Sequence, residues 1–349
     1  MDRPTGSTKL PTGARNFHAG ETRLQAESGV DTTALDNGVT EAFDPRMGPG
    51  EQRFVRDRTF SVAASVDLDG RPRATPLLGP AGEVFEVQDE TTVSISPRLV
   101  PGDELVDDVA RTGELGILFL DPSRRRRAKS LGRGEVEQDG TITYQLTRFY
   151  GLCPRYIFRR DHEASPATGT SNARSNDQPI AREARTSRAL ADEDAAVVAV
   201  ADTVFLASHS DEHGVDPTHR GGPAGFVTVV DDRTLRLPDY LGNGMYQTLG
   251  NLLLDPRIAL MTMDLVTGRT VSVTGRGSIL LPRPGDEHAE RVLQVDVDEV
   301  RTTWRDPGRW TDVEAFDMRA ARRNPATPML PDARLPMSAH AAEDEPACG

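Results

Sequence analysis

Gly116-Ile-Leu-Phe-Leu-Asp121 and Ala259-Leu-Met-Thr-Met-Asp264 are short apolar runs, each closed by an aspartate. A glycine–arginine–glycine triplet follows each, Gly132-Arg133-Gly134 after the first and Gly275-Arg276-Gly277 after the second. From 116 to 259 and from 132 to 275 the step is the same 143 residues, with a strand-length segment between run and triplet. Chance seldom keeps such a register, and a fixed internal period marks repeated structural units. A third pair, residues 70–82 (GRPRATPLLGPAG) and 214–225 (GVDPTHRGGPAG), differs in length by one residue. The chain reads as a duplicated domain.

Working outward, short β-branched or apolar segments recur at 60–67, 83–88, 92–96 and 116–121, and again at 203–208, 225–230, 234–237, 258–264 and 269–275. Turn pairs such as Asp69-Gly70, Asp231-Asp232 and Thr267-Gly268 separate them. Many short, closely spaced strands predict a barrel or sandwich rather than a parallel α/β sheet. The 349 residues suit two domains, given a prior of roughly 150 residues each. Between the copies, residues 163–178 (EASPATGTSNARSNDQ) are poor in apolar side chains and read as a linker. Helix formers fill 181–199, while residues 1–14 and 326–349 are Pro-rich, polar and without predicted structure.

Composition excludes several classes. Hydrophobic residues make up 37% of the chain, and no apolar run approaches the length a membrane helix needs. The N-terminal MDRPTGSTKLPTGARNFHAGE has no apolar stretch for a secretory signal, so a cytoplasmic location and no membrane partner are expected. A net charge of −13 argues against a general nucleic-acid binder. The two cysteines, Cys153 and Cys348, form neither a disulfide framework nor a metal-ligand spacing. Lys9 and Lys129 are the only lysines, so an anion site here is expected to use arginine forks.

The densest chemical signal is residues 238–257, PDYLGNGMYQTLGNLLLDPR. A strand ends at Leu237, the turn Gly242-Asn243-Gly244 follows, and a helix is predicted from Met245 to Leu254, stopped by Asp255-Pro256. Glycines let the backbone aim several N–H groups at one point, and the first turn of a helix adds a positive dipole end. Upstream, His219-Arg220-Gly221-Gly222 sets a guanidinium beside a backbone that a ligand can approach closely. Together these segments suit an anion such as phosphate.

The run from 202 to 277, with HRGGPAGF, PDYLGNGMYQTLGNLLLDPR and VSVTGRG, resembles the pyridoxamine 5′-phosphate oxidase-like FMN-binding split-barrel family. FHAGETRLQAESGV at 17–30 and FYGLCPRYIFRRD at 149–161 resemble a double-length branch of it. The resemblance implies a mainly β (α+β) chain of two tandem six-stranded Greek-key split β-barrels forming an intrachain pseudo-dimer. The expected partition is an extension at 1–40, a first barrel at 41–161, a linker at 162–186, a second barrel at 187–325 and a tail at 326–349. It also implies FMN at the interface between barrels. Its phosphate would meet Arg220, Gly221 and Gly222 and the Asn243-Gly244 loop, with Thr248 and Asn251 on the next helix. Pro238, Asp239 and Tyr240 would border the ring, and Arg155 and Tyr156 would reach across from the first barrel. Similar sequences carry lysine where this chain has Arg155.

The first copy departs from this pattern at 97–109, PRLVPGDELVDDV, where Asp103, Glu104, Asp107 and Asp108 replace neutral residues and Leu77 or Leu78 replaces the arginine. Repulsion of a phosphate there predicts a single flavin per chain. His209, His213 and His219 crowd one loop but match no zinc spacing, so no metal is expected. Arg124–Arg127 falls in register with a hairpin turn and reads as a solvated turn. No side chain stands out as acid, base or nucleophile, so no catalytic residue is assigned. The expectation is an FMN-dependent oxidoreductase acting on a small-molecule substrate, with a homodimer open; the alternative is a non-catalytic flavin, deazaflavin or haem binding or storage protein.

Overall fold

The computed structural model describes residues 16–39, 43–165, 184–286, 288–314 and 317–318. The predicted loose ends, linker residues 166–178 and Cys348 lie outside the described residues. Three helices open the chain: α1 (Ala19–Glu27), α2 (Thr32–Val39) and α3 (Pro49–Arg56). The first sheet then forms from β1 (Phe60–Val66), β2 (Pro72–Leu78), β3 (Phe85–Val87), β4 (Thr92–Ile95), β5 (Glu114–Asp121), β6 (Arg126–Val136) and β7 (Ile142–Leu152), with α4 (Leu105–Thr112) before β5. After β8 (Arg160–Glu163), β9 (Arg185–Ser187) and α5 (Asp192–Val200) the pattern repeats. The second set is β10 (Thr203–Ser210), β11 (Gly214–Gly221), β12 (Thr228–Asp231), β13 (Thr234–Tyr240), β14 (Arg257–Met263), β15 (Arg269–Leu280) and β16 (Ala289–Trp304). Here α6 (Gln247–Leu254) precedes β14, and β17 (Arg309–Asp312) closes the order.

The chain is mainly β, and the two sheets share one topology. Their strand orders, β2-β1-β5-β6-β7-β4-β3 and β11-β10-β14-β15-β16-β13-β12, match strand for strand. Glu114 pairs with Arg133 across β5 and β6 as Arg257 pairs with Arg276 across β14 and β15, the same 143-residue step. Each path holds seven strands rather than six, because tight Asp turns fold β3–β4 and β12–β13 into hairpins. The Thr91 N–H donates to Asp89 Oδ1 at 2.7 Å and the Arg233 N–H to Asp231 Oδ1 at 2.8 Å. β9 straddles the end of the expected linker and pairs with β16.

Each half has its own core, one around Phe85, Ile117, Phe119 and Tyr144, the other around Leu206, Leu235, Leu260 and Val273. A third cluster joins them: Val62, Ala64 and Leu118 of the first sheet pack against Phe205, Ala207 and Met261 of the second. Full burial of a large apolar side chain stabilises by about 1.5–3 kcal/mol, so this seam holds the halves together. The first helix, α1, packs on the second half. A side chain at Gly20 would collide with the Gly250 carbonyl, and one at Gly250 with the Glu21 backbone, so this pair of glycines lets α1 lie directly on α6. α6 starts two residues later than the predicted Met245, since Tyr246 takes a left-handed conformation (φ 55°) that cannot continue a helix.

Candidate functional site

A narrow cleft runs along the seam. The first half contributes Arg127 and Lys129 on β6, Leu152 at the end of β7, and Cys153, Arg155 and Tyr156 beyond it. The second contributes the end of β11, the end of β13, the loop at 242–246 and the start of α6. Local sequence shapes the second half's wall. β13 ends in a register shift between Asp239 and Tyr240, Gly244 sits at φ 77°, and the Met245 N–H donates to Asn243 Oδ1 at 3.2 Å. These features turn the chain sharply into α6, which carries no side-chain cap, and its first residues Gln247, Thr248 and Leu249 line the cleft.

Of the residues the sequence nominated, Arg220, Gly221, Pro238, Asp239, Tyr240, Asn243, Gly244, Thr248, Arg155 and Tyr156 all line this cleft. Asn251 and Gly222 do not. Asn251 faces away, its Oδ1 meeting His18 Nε2 at 2.7 Å while its Nδ2 donates to Ser208 Oγ at 2.9 Å. At Gly222 the space for a side chain is filled by the Phe226 ring, a packing role.

The cleft is strongly cationic. Arg220 is ion-paired with Asp239, and buried Lys129 is ion-paired with Asp216 and donates to Gln247 Oε1 at 3.0 Å. Arg155 donates from Nη1 to the carbonyls of Leu241 and Gly242 at 3.1 and 3.3 Å, and the Tyr156 hydroxyl donates to Leu241 O at 2.9 Å. Thus two side chains of the first half hold down the 241–242 strap. Arg127 differs from its neighbours: its Nε donates to Cys153 O at 2.9 Å and its Nη1 to His219 Nδ1 at 3.0 Å, and it pairs with no carboxylate among the described residues. Burial, with Arg220 nearby, pushes its pKa down to about 10. His219 is held well below the ordinary imidazole range by burial and by Arg127 and Arg220, so its ring is neutral.

Sequence reasoning missed Arg127, Lys129, His219 and Gln247. Arg127 was read as part of a solvated turn, whereas the turn ends before it and β6 carries it into the seam. Lys129 did leave a signal, being one of two lysines in a chain that otherwise uses arginine.

The matching position of the first half carries different residues. Leu77 stands opposite Ser61 as Arg220 stands opposite Val204, so the guanidinium is replaced by an apolar side chain. The acidic loop there is not a bare repulsive patch, and this corrects the expectation. Asp103 pairs with Arg305 at 2.8 Å, Glu104 with Arg73 and Arg301, and Asp108 with Arg73 at 2.7 Å. Arginines of the chain already neutralise these three carboxylates.

His18, Glu21 and His213 bring ligand-type atoms within 4.8 Å of one another beside α1. His18 Nδ1 accepts the Gly20 N–H at 3.1 Å, so this nitrogen carries the lone pair and Nε2 carries the hydrogen it shares with Asn251. A ring in that state has no lone pair left for a metal. The cluster anchors α1 to the turn after β10.

Residues 190–304 match the pyridoxamine 5′-phosphate oxidase family model, and the second half of the chain is a domain of that split-barrel family. Comparison with curated proteins gives no match. Among solved structures, a HupZ variant from Group A Streptococcus is 14% identical, covering 32% of this chain and 98% of its own, with a TM-score of 0.27. A FAD-binding protein from Mesorhizobium loti is 16% identical over 35% of this chain and 98% of its own, TM-score 0.26. General stress protein 26 from Bacillus anthracis is 9% identical over 34% and 94%, TM-score 0.24.

Proposed function

We propose that the seam cleft binds one FMN per chain and that the protein is an FMN-dependent oxidoreductase acting on a small molecule. The observation that carries this reading is Arg127, a guanidinium in the cleft wall without a carboxylate partner among the described residues, beside Arg220, Lys129, Arg155 and the uncapped start of α6. Burying so much positive charge is costly unless an anion completes it. Glycine-rich backbone and arginine forks are the donor set a phosphate monoester requires.

The cavity itself is about 110 Å³, below the roughly 300–1,000 Å³ of small-molecule pockets. The loop that narrows it also borders a cavity of about 610 Å³ on its other side, shared through residues 242–246, so it has room to move outward. On this reading Arg127, Arg220, Gly221, Gly244 and Thr248 hold the phosphate. Pro238, Asp239 and Tyr240 border the ring, and Arg155 and Tyr156 close the site from the first half. FMN, when bound, supplies the electron transfer; the chain orients it and excludes water. The test is the visible spectrum of the purified protein, with the mass of the compound released on denaturation. A flavin spectrum and FMN in a single equivalent per chain are expected. A protein that is colourless and takes up no added FMN would refute the assignment, and a deazaflavin mass would replace the cofactor while keeping the cleft.

A further inference from the structure

We propose that the chain carries a second small-molecule site, an apolar cavity between its halves that takes an uncharged aromatic molecule whose acceptor atom receives a hydrogen bond from His219. The cavity has a volume of about 510 Å³, within the roughly 300–1,000 Å³ of ligand pockets. Phe60, Leu120, Ile157, Phe205, Met263 and Trp310 form its walls. The Phe60 ring meets Trp310 edge-on at 5.3 Å and Phe205 at 5.6 Å, so three rings present a continuous surface suited to another ring.

The charged groups on this wall are already engaged. Arg160 pairs with Asp202 and, at 2.6 Å, with Asp312, while Asp264 accepts the Val266 N–H at 2.8 Å and the Thr267 hydroxyl at 2.8 Å. Arg160 thus offers an anion no free charge, and Asp264 spends its oxygens on its own turn, so the largely apolar walls suit an uncharged occupant.

His219 lines both this cavity and the cationic cleft and is only 5% exposed. A guanidinium can only donate, so the 3.0 Å contact from Arg127 Nη1 fixes the lone pair on Nδ1 and the hydrogen on Nε2. The two nitrogens point in nearly opposite directions across an imidazole ring. With Nδ1 turned to Arg127 on the cleft side, Nε2–H turns to the cavity, where the ring stands edge-on to Phe205 at 5.6 Å. No protein acceptor meets Nε2 among the described residues. A donor on the cavity wall without a protein partner is open to a ligand, and a carbonyl or ether oxygen would accept from it. This site stands or falls independently of flavin binding in the cleft.

Calorimetric titration of the full chain with acetophenone, and with ethylbenzene as its counterpart without an acceptor, tests the proposal. Val200, 70% exposed, and Ala196 border the cavity from α5, so Val200→Trp and Ala196→Trp fill it without disturbing a core. Saturable binding of acetophenone that either plug abolishes is expected, with the melting temperature checking that the plugged variants fold. His219→Phe should weaken acetophenone about fivefold while ethylbenzene changes by less than about twofold, the loss expected from one neutral hydrogen bond. No saturable binding, binding indifferent to both plugs, or an equal effect of His219→Phe on the two ligands would overturn it.

Discussion

Arg305, just beyond β16 of the second half, grips Asp103 of the first half through Nη2 at 2.8 Å, and the two side chains are only 4% and 5% exposed. The same guanidinium donates to Thr270 Oγ1 and Thr303 Oγ1, both at 3.2 Å, so its planar fork is fully used. Removing one partner of such a pair strands a buried charge, which costs about 3–5 kcal/mol. Asp103→Ala should therefore lower unfolding stability by that amount in denaturant titrations without opening a second flavin site. If the variant instead takes up a second equivalent of FMN, the ion pair was a removable plug and the single-site reading is wrong.

Arg127→Ala should weaken FMN binding about 10- to 100-fold, the worth of a charge-assisted phosphate contact at about 1.5–3 kcal/mol. Arg220→Ala should do more, because Asp239 would lose its partner and face the same cleft as an unpaired carboxylate. Adding Asp239→Asn to Arg220→Ala should then recover part of the loss. Flavin titration by fluorescence reads all three variants. Equal affinities for Arg220→Ala with and without Asp239→Asn would show that this carboxylate does not reach the ligand.

The duplication was legible because it lives in the local pattern: the GILFLD and ALMTMD runs and their glycine triplets keep one register, and that register is the one the strands adopt. β7 and β16 escaped notice since their outward residues are charged or polar, as in Ile142–Leu152, where Gln145 and Thr147 alternate with buried neighbours. The second half's share of the cleft was readable from its glycines and its arginine. The first half's share was not, because Arg127 and Lys129 gain their meaning only when β6 meets β11 across the seam. Likewise the acidic loop looked like repulsion from sequence, since Arg73, Arg301 and Arg305 lie far from it along the chain.

Lys129 and Asp216 form a buried pair across that seam, the lysine 2% and the aspartate 4% exposed. Burial pushes the Lys129 ammonium below its ordinary range while Asp216 pulls it back. Lys129→Met alone leaves Asp216 uncompensated and should cost about 3–5 kcal/mol, whereas Lys129→Met with Asp216→Leu should cost far less, since buried pairs are often replaceable by apolar residues. Urea unfolding of the two variants and the single Asp216→Leu closes the cycle. Additive effects would mean that the two charges are solvated separately rather than through each other.

Glu21 links the N-terminal helix to pH. Burial raises its carboxyl to about 8, against 4.5 in an open chain, although Arg148 and Lys129 pull it down and Asp216 pushes with burial. Its Oε2 accepts the His18 N–H at 2.8 Å and lies 3.5 Å from His213 Nδ1. A folded pKa above the unfolded one means that the folded state holds the proton more tightly, so this stability is complete below about 4.5 and lost as pH rises through about 8. His213, pushed by burial to about 3, and His18, also lowered by burial, act in the opposite sense, losing stability as pH falls below their open-chain value of 6.5. The effects oppose each other below that value, which leaves Glu21 alone in the window above it. Between pH 6.5 and 8 stability should fall by on the order of 1 kcal/mol per pH unit. Glu21→Gln, which keeps the shape and stays neutral, should flatten that slope in melting curves; an unchanged slope would place the titration in another group.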